Sequence, residues 1–148
     1  MTLDSYKKKR DFKKTPEPSG DKVKADHPIY LVHEHHASHL HWDLRLEMEG
    51  VLKSWAVPKE PSTDPKVKRL AILVEDHPLS YASFEGDIPE GNYGAGTVRI
   101  WDRGTFELIE KNERGFVIKI NGKKLKGAYV LFKFKPPKNW LLFKKKDD

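Results

Sequence analysis

The chain has 148 residues, 37% apolar and 34% charged, a size and composition that suit one folded domain and leave no room for two. Its 28 lysines and arginines against 22 acidic residues give a net charge of +6, which favours polyanionic partners and equally serves to keep a small domain soluble. The lack of cysteine excludes a disulfide framework, a thiolate metal site and a cysteine nucleophile. The start, Met1 to Lys7, has no apolar stretch of the signal-peptide kind, and Leu70-Ala71-Ile72-Leu73-Val74 is far too short to cross a bilayer. A cytoplasmic protein with no membrane partner is expected.

Residues 1–26 are dominated by lysine, acidic residues, proline and glycine, and read as a basic, flexible arm before a domain over 27–148. Ser5 to Lys14 is compatible with a short basic helix that ends before Pro16-Glu17-Pro18-Ser19-Gly20. Lys7-Lys8-Lys9-Arg10 and Lys13-Lys14 suit a phosphate backbone, and a solvated tail has the same composition.

The rest reads as successive strands. Ile29 to His35 is the first, and His41 to Met48 alternates apolar with charged residues. A Glu49-Gly50 turn leads into Val51 to Val57, and Arg69 to Glu75 is a strongly apolar strand. Thr97 to Asp102 and Thr105 to Glu110 flank Arg103-Gly104, which predicts a second hairpin. Gly115 to Ile120 precedes Asn121-Gly122, a step that suits a tight type I′ turn. Its return strand is expected to begin at Lys123, bend at Gly127 and continue through Tyr129 to Phe134, with Trp140 to Lys145 last. No long segment shows a helical period. The expected fold is therefore all-β with minor helix, an antiparallel β-barrel of about eight strands whose closure removes exposed edges.

Six of the seven histidines fall between His27 and His41. Alternation along the second strand puts His41, Asp43, Arg45 and Glu47 on one face, opposite Trp42, Leu44, Leu46 and Met48. His41 and Asp43 can ligate one ion, and His35 can reach it from the preceding strand. Three such ligands leave positions open for water or substrate, as catalytic sites do. A surface strand with several histidines and no ligand role gives the same pattern. His33, His36 and His39 have no distinct role in this reading. Arg45 suits a bidentate grip on phosphate oxygens, or an exposed salt bridge with Glu47. Glu75 and His77 form a second alternating pair at the end of the apolar strand, where Pro78 follows. His77 there is a candidate acid, base or phosphate contact, or a structural turn histidine. The glycine-rich stretch Phe84 to Gly96 is no P-loop, because no Gly-Lys-Ser/Thr follows it; its glycines suit a bend into the next strand.

These residues resemble a known family. His35 to Glu47, Gly50-Val51-Leu52-Lys53-Ser54-Trp55-Ala56-Val57-Pro58-Lys59 and Lys68-Arg69-Leu70-Ala71 are similar to the 3′-phosphoesterase domain of bacterial DNA ligase D. Val74 to Tyr81, Phe84 to Gly96 and Ile100-Trp101-Asp102-Arg103-Gly104 continue the match in order. The resemblance implies a β-barrel and a manganese-dependent enzyme of non-homologous end joining, here as a free-standing member. Such an enzyme removes a 3′-terminal ribonucleoside and then the 3′-phosphate, leaving a 3′-hydroxyl for a separate polymerase or ligase. By resemblance His35, His41 and Asp43 would hold the metal, while Arg45 and His77 would contact the scissile phosphate. Lys59, Arg69, Glu75 and Tyr81 would complete the site and favour the ribonucleoside step. The ligand set also accepts zinc or cobalt, so only the resemblance selects manganese. The implied partner is the 3′ end of a DNA or RNA-tipped DNA strand, in a primer–template. One departure stands out: Glu60 replaces the glycine of the family's Pro-Lys-Gly-Pro, beside Lys59. With the basic arm and Lys144-Lys145-Lys146, it motivates an alternative, a catalytically silent DNA-end-binding module.

Overall fold

In the computed structural model, which describes residues 28–89 and 95–146, the strands form one antiparallel sheet that closes on itself. The elements are β1 (Ile29–His36), β2 (Leu40–Met48), β3 (Val51–Val57), β4 (Arg69–His77), a 3-10 turn (Leu79–Ser83) and β5 (Gly86–Ile88). They continue as β6 (Gly96–Asn112), β7 (Gly115–Asn121), β8 (Lys126–Lys135) and β9 (Asn139–Lys144). The order around the barrel is β1-β2-β3-β4-β9-β8-β7-β6, with β6 pairing back to β1 and β5 added on β6. The expected all-β barrel of eight closed strands is what forms. No helix among the described residues is long and apolar enough to cross a membrane. The expected basic arm and its helix lie outside the described residues, as do residues 90–94 of the glycine-rich stretch.

Alternation decides which side chains fill the barrel. Tyr30 and Val32 of β1, Leu44 and Leu46 of β2, and Trp55 and Val57 of β3 point inward onto Ile118, Tyr129, Leu131 and Trp140. Each such side chain contributes about 1.5–3 kcal/mol by leaving water. The opposite parity faces outward, yet it is not left wet. Leu31 and Leu52 pack there with Leu79, Tyr81, Phe84, Ile88 and Val98, so the segment 78–88 roofs the outer face of β1–β3. Beneath that roof His33, Asp43, Arg45 and Ser54 are buried.

Two turns differ from expectation. The Arg103-Gly104 hairpin does not form; β6 runs straight through. This strand serves two neighbours in succession, pairing with β1 over Thr97 to Thr105 and with β7 from Thr105 onward. Gly104 is needed for close approach, since the Asn121 carbonyl occupies the space a Cβ would take. The second difference is at Asn121-Gly122, where residues 122–125 form a wider loop and β8 begins at Lys126 instead of Lys123. Asp102 reaches from β6 and accepts from the backbone N–H of Lys123 (2.9 Å), Lys124 (3.1 Å) and Leu125 (3.0 Å). The Tyr30 hydroxyl donates to the same carboxylate at 2.9 Å. A buried carboxylate has replaced the tight turn. By contrast the Glu49-Gly50 turn forms as expected, with φ of 55° and 82° suited to the twist of a short hairpin.

Candidate active site

The outer face of β1 and β2 brings the predicted metal ligands together. Register sets His35 opposite His41 and His33 opposite Asp43, pairs whose Cβ atoms stand roughly 5 Å apart. His41 Nε2 lies 3.2 Å from one Asp43 oxygen and His35 Nδ1 lies 3.6 Å from the other. One donor atom from each of the three falls within 4.8 Å of the others. His41 Nδ1 donates to the His39 carbonyl at 3.1 Å, which orients the ring and directs Nε2 at Asp43. Burial pushes the Asp43 carboxyl upward, but the Arg45 charge and hydrogen bonds from His35 and His41 outweigh it and hold it well below the usual range. Burial likewise pulls His41 down, and the hydrogen bond and charge of Asp43 overcome it, so the net shift is upward.

Arg45, two residues along β2, is fixed at every edge. Its Nε donates to His33 Nδ1 at 3.0 Å and its Nη1 to Ser54 Oγ at 2.9 Å. Its Nη2 lies 3.5 Å from Asp43, and the guanidinium sits 4.9 Å from the centre of the Tyr81 ring. His33 in turn meets the Phe84 carbonyl through Nε2 at 2.9 Å. A carbonyl only accepts, so Nε2 carries the proton and Nδ1 accepts from Arg45. Burial first, and the Arg45 charge second, push His33 down to about 3 and keep it neutral. The sequence alone gives His33 and Ser54 no role. The available signal was parity, since His33 shares the face of His35.

The remaining side chains arrive through a β-bulge. Ser54 pairs with Val74 and Leu52 with His77, so β4 carries one residue more than β3 between those pairs. Strict alternation from Ala71 and Leu73, which face the core, would aim Glu75 and His77 inside the barrel. The extra residue turns them outward into the cleft. His77 Nδ1 donates to the Glu75 carbonyl at 3.0 Å. Tyr81 presents its ring to His77 and His33, with centroids 4.8 Å and 5.4 Å away.

Together His35, His41, Asp43, Arg45, Glu75, His77 and Tyr81 line one cleft of about 290 Å³. Lys59 and Arg69 are not among its lining. Lys59 is exposed on the segment 58–68 after β3. Arg69 opens β4, donates from Nε to the Glu60 carbonyl at 2.8 Å, and borders a separate cavity at the barrel's end. A carboxylate and two imidazoles beside an immobile guanidinium suit a divalent ion and a phosphate held next to each other.

A family model, described as the DNA Ligase D 3′-phosphoesterase domain, matches residues 33–133. The chain belongs to this family. It is 50% identical, over 98% of its length, to the multifunctional non-homologous end joining protein LigD of Pseudomonas aeruginosa. Identity is 44% over 88% of the chain to the non-homologous end joining DNA repair protein LigD of Mycobacterium tuberculosis. It is 39% over 98% of the chain to the LigD of Mycolicibacterium smegmatis. The chain spans only 19%, 18% and 21% of those relatives. The phosphoesterase-domain match takes in every residue of the cleft, together with Lys59 and Arg69.

Proposed function

We propose that this chain is a divalent-metal-dependent 3′-phosphoesterase that heals nucleic-acid ends, removing a 3′-terminal ribonucleoside and then the 3′-phosphate to leave a 3′-hydroxyl. One observation carries the reading: the His35, His41 and Asp43 donor atoms lie within 4.8 Å of one another, two residues along β2 from the buried Arg45. Two imidazoles and a carboxylate without thiolate fit manganese, zinc or cobalt, and the family resemblance favours manganese. When bound, such an ion supplies charge neutralisation and Lewis acidity at the phosphate.

The chain's own groups do the rest. Arg45 is held by His33, Ser54 and Asp43, so its positive charge needs no reorganisation as negative charge develops on the phosphoryl oxygens. His77 is oriented through Nδ1, which leaves the exchange of a proton with the departing oxygen to Nε2. Tyr81 packs its ring against both the Arg45 guanidinium and the His77 imidazole. Lys59 and Arg69, outside the lining of the cleft, are assigned by the family resemblance to the ribonucleoside step. The relatives' names place them in non-homologous end joining, and we infer the same setting here. A 3′-hydroxyl is what a polymerase or ligase of end joining requires, which makes such enzymes the partners.

The test uses a labelled DNA strand with one 3′-terminal ribonucleotide and a second ending in 3′-phosphate. Chelated protein should leave both intact, and added manganese, zinc or cobalt should restore conversion to a 3′-hydroxyl. Tight binding without turnover under every metal would overturn the enzyme reading in favour of a silent end-binding module.

A further inference from the structure

A second concavity, of about 420 Å³, opens at one end of the barrel and is bordered by Glu60, Ser62, Thr63, Arg69, Trp101 and Lys124. Two cations reach it, and both are held. Arg69 is anchored through Nε by the Glu60 carbonyl. The Lys124 ammonium stands 4.4 Å from the centre of the Trp101 ring, whose electron-rich face attracts it. The loop beneath Lys124 is fixed as well. Asp102 takes the backbone N–H groups of Lys123, Lys124 and Leu125, so the exposed Lys123 and Lys124 stand on a rigid platform. Arg69 and Lys124 are thus held before an anion arrives, which lowers the cost of binding.

The place of this concavity relative to the cleft is set by register. Trp42 pairs with Val57 and Ala56 with Ile72, so the His41 end of β2 and the Arg69 end of β4 lie at the same end of the barrel. Two strand spacings separate them, roughly 10 Å, which is about three nucleotides of a stacked strand. A strand whose 3′ end occupies the cleft and which runs toward this end of the barrel reaches this rim.

We propose that the concavity is a subsite for backbone phosphates of the nucleic acid bound in the cleft, with Lys124 as its fixed cation and Glu60 as the group that limits its affinity. The identity of the occupant rests on the phosphoesterase reading. The charges assign the chemistry. Arg69 and Lys124 attract a phosphate, whereas the exposed Glu60 carboxylate on the same lining repels it. Neutralising Lys124 and neutralising Glu60 must then act in opposite directions. A cationic occupant would reverse both signs, and an apolar one would respond to neither.

The experiment measures binding of the full chain to an end-labelled primer–template of about 20 base pairs ending in 3′-phosphate, in chelator, across a salt series. Lys124→Gln should weaken binding about three- to fivefold and lower the slope of log affinity against log salt by about 0.9. Glu60→Gln should tighten binding about two- to threefold. Manganese-dependent turnover of a 3′-phosphate dinucleotide, too short to reach the rim, should be the same in Lys124→Gln and wild type. Unchanged affinity and slope in Lys124→Gln, or a shift of both variants in one direction, would overturn the subsite. If wild-type protein with manganese turns over neither the dinucleotide nor the primer–template, the phosphoesterase reading falls, and the binding series still decides the subsite by the same criteria.

Discussion

His33 accepts a hydrogen bond from Arg45 Nε at 3.0 Å and donates one to the Phe84 carbonyl at 2.9 Å, so a neutral imidazole ties the guanidinium to the segment that roofs the cleft. Replacing it by leucine strands a buried donor on Arg45, a loss of about 1–3 kcal/mol, and frees the guanidinium to move. His33→Leu should lower kcat on a 3′-phosphate strand roughly 10- to 100-fold. Glutamine carries both an acceptor and a donor, and His33→Gln should recover most of that rate. Steady-state kinetics at saturating substrate, with thermal melts of each variant, provide the check. Wild-type kcat in the leucine variant would mean that Arg45 does not depend on this contact.

His41 is half-buried and lies outside both apolar clusters, so the fold should survive its removal. Losing one ligand of three should weaken manganese binding by more than about 100-fold and abolish both end-healing reactions. Calorimetric titration of manganese into His41→Ala reads the first effect directly. Wild-type affinity in that variant would remove His41 from the ligand set.

His77 should behave differently, since it stands apart from the donor group. His77→Ala is expected to lose roughly 100- to 1,000-fold in phosphatase rate while manganese affinity stays at the wild-type value. Parallel loss of metal binding would reassign His77 as a ligand.

Asp102 links stability to pH. Burial raises its pKa, but the N–H groups of Leu125, Lys123 and Lys124 and the Tyr30 hydroxyl lower it more, and the net shift is downward. An ordinary aspartate titrates near about 3.9, so the unfolded chain takes up this proton more readily than the folded one. The stabilisation is therefore complete above that value and is lost as pH falls through the lower folded one. Asp102→Asn should cost about 2 kcal/mol at neutral pH. The gap from wild type should narrow in urea titrations carried down towards pH 3. A gap that stays constant with acid would show that the ionised carboxylate is not what holds the loop.

Local period alone made much of this protein legible. Alternation in Ile29–His36 and Leu40–Met48 separates core from outer face with no knowledge of the fold, and it aligned His41, Asp43 and Arg45 correctly. The run of family motifs identified the domain for the same reason, because chemistry and spacing are both written along the chain. Other features depend on contacts between residues distant in sequence. Arg103-Gly104 looks like a turn until the Asn121 carbonyl is seen to fill the space at Gly104. Asn121-Gly122 looks like a two-residue turn until Asp102, from another strand, claims the next three backbone N–H groups. The outward aim of Glu75 and His77 comes from a bulge in the pairing of β3 with β4, a property of two strands together. His33 is fixed as a neutral acceptor for Arg45 only because the Phe84 carbonyl, 51 residues away, takes its other ring nitrogen. The sequence by itself determined most of the strands, the family and the face that groups His41, Asp43 and Arg45, since each follows from short-range period and side-chain chemistry. Tertiary structure decided how Arg45 is held, because immobilising a buried cation takes acceptors from several strands and a roof over them.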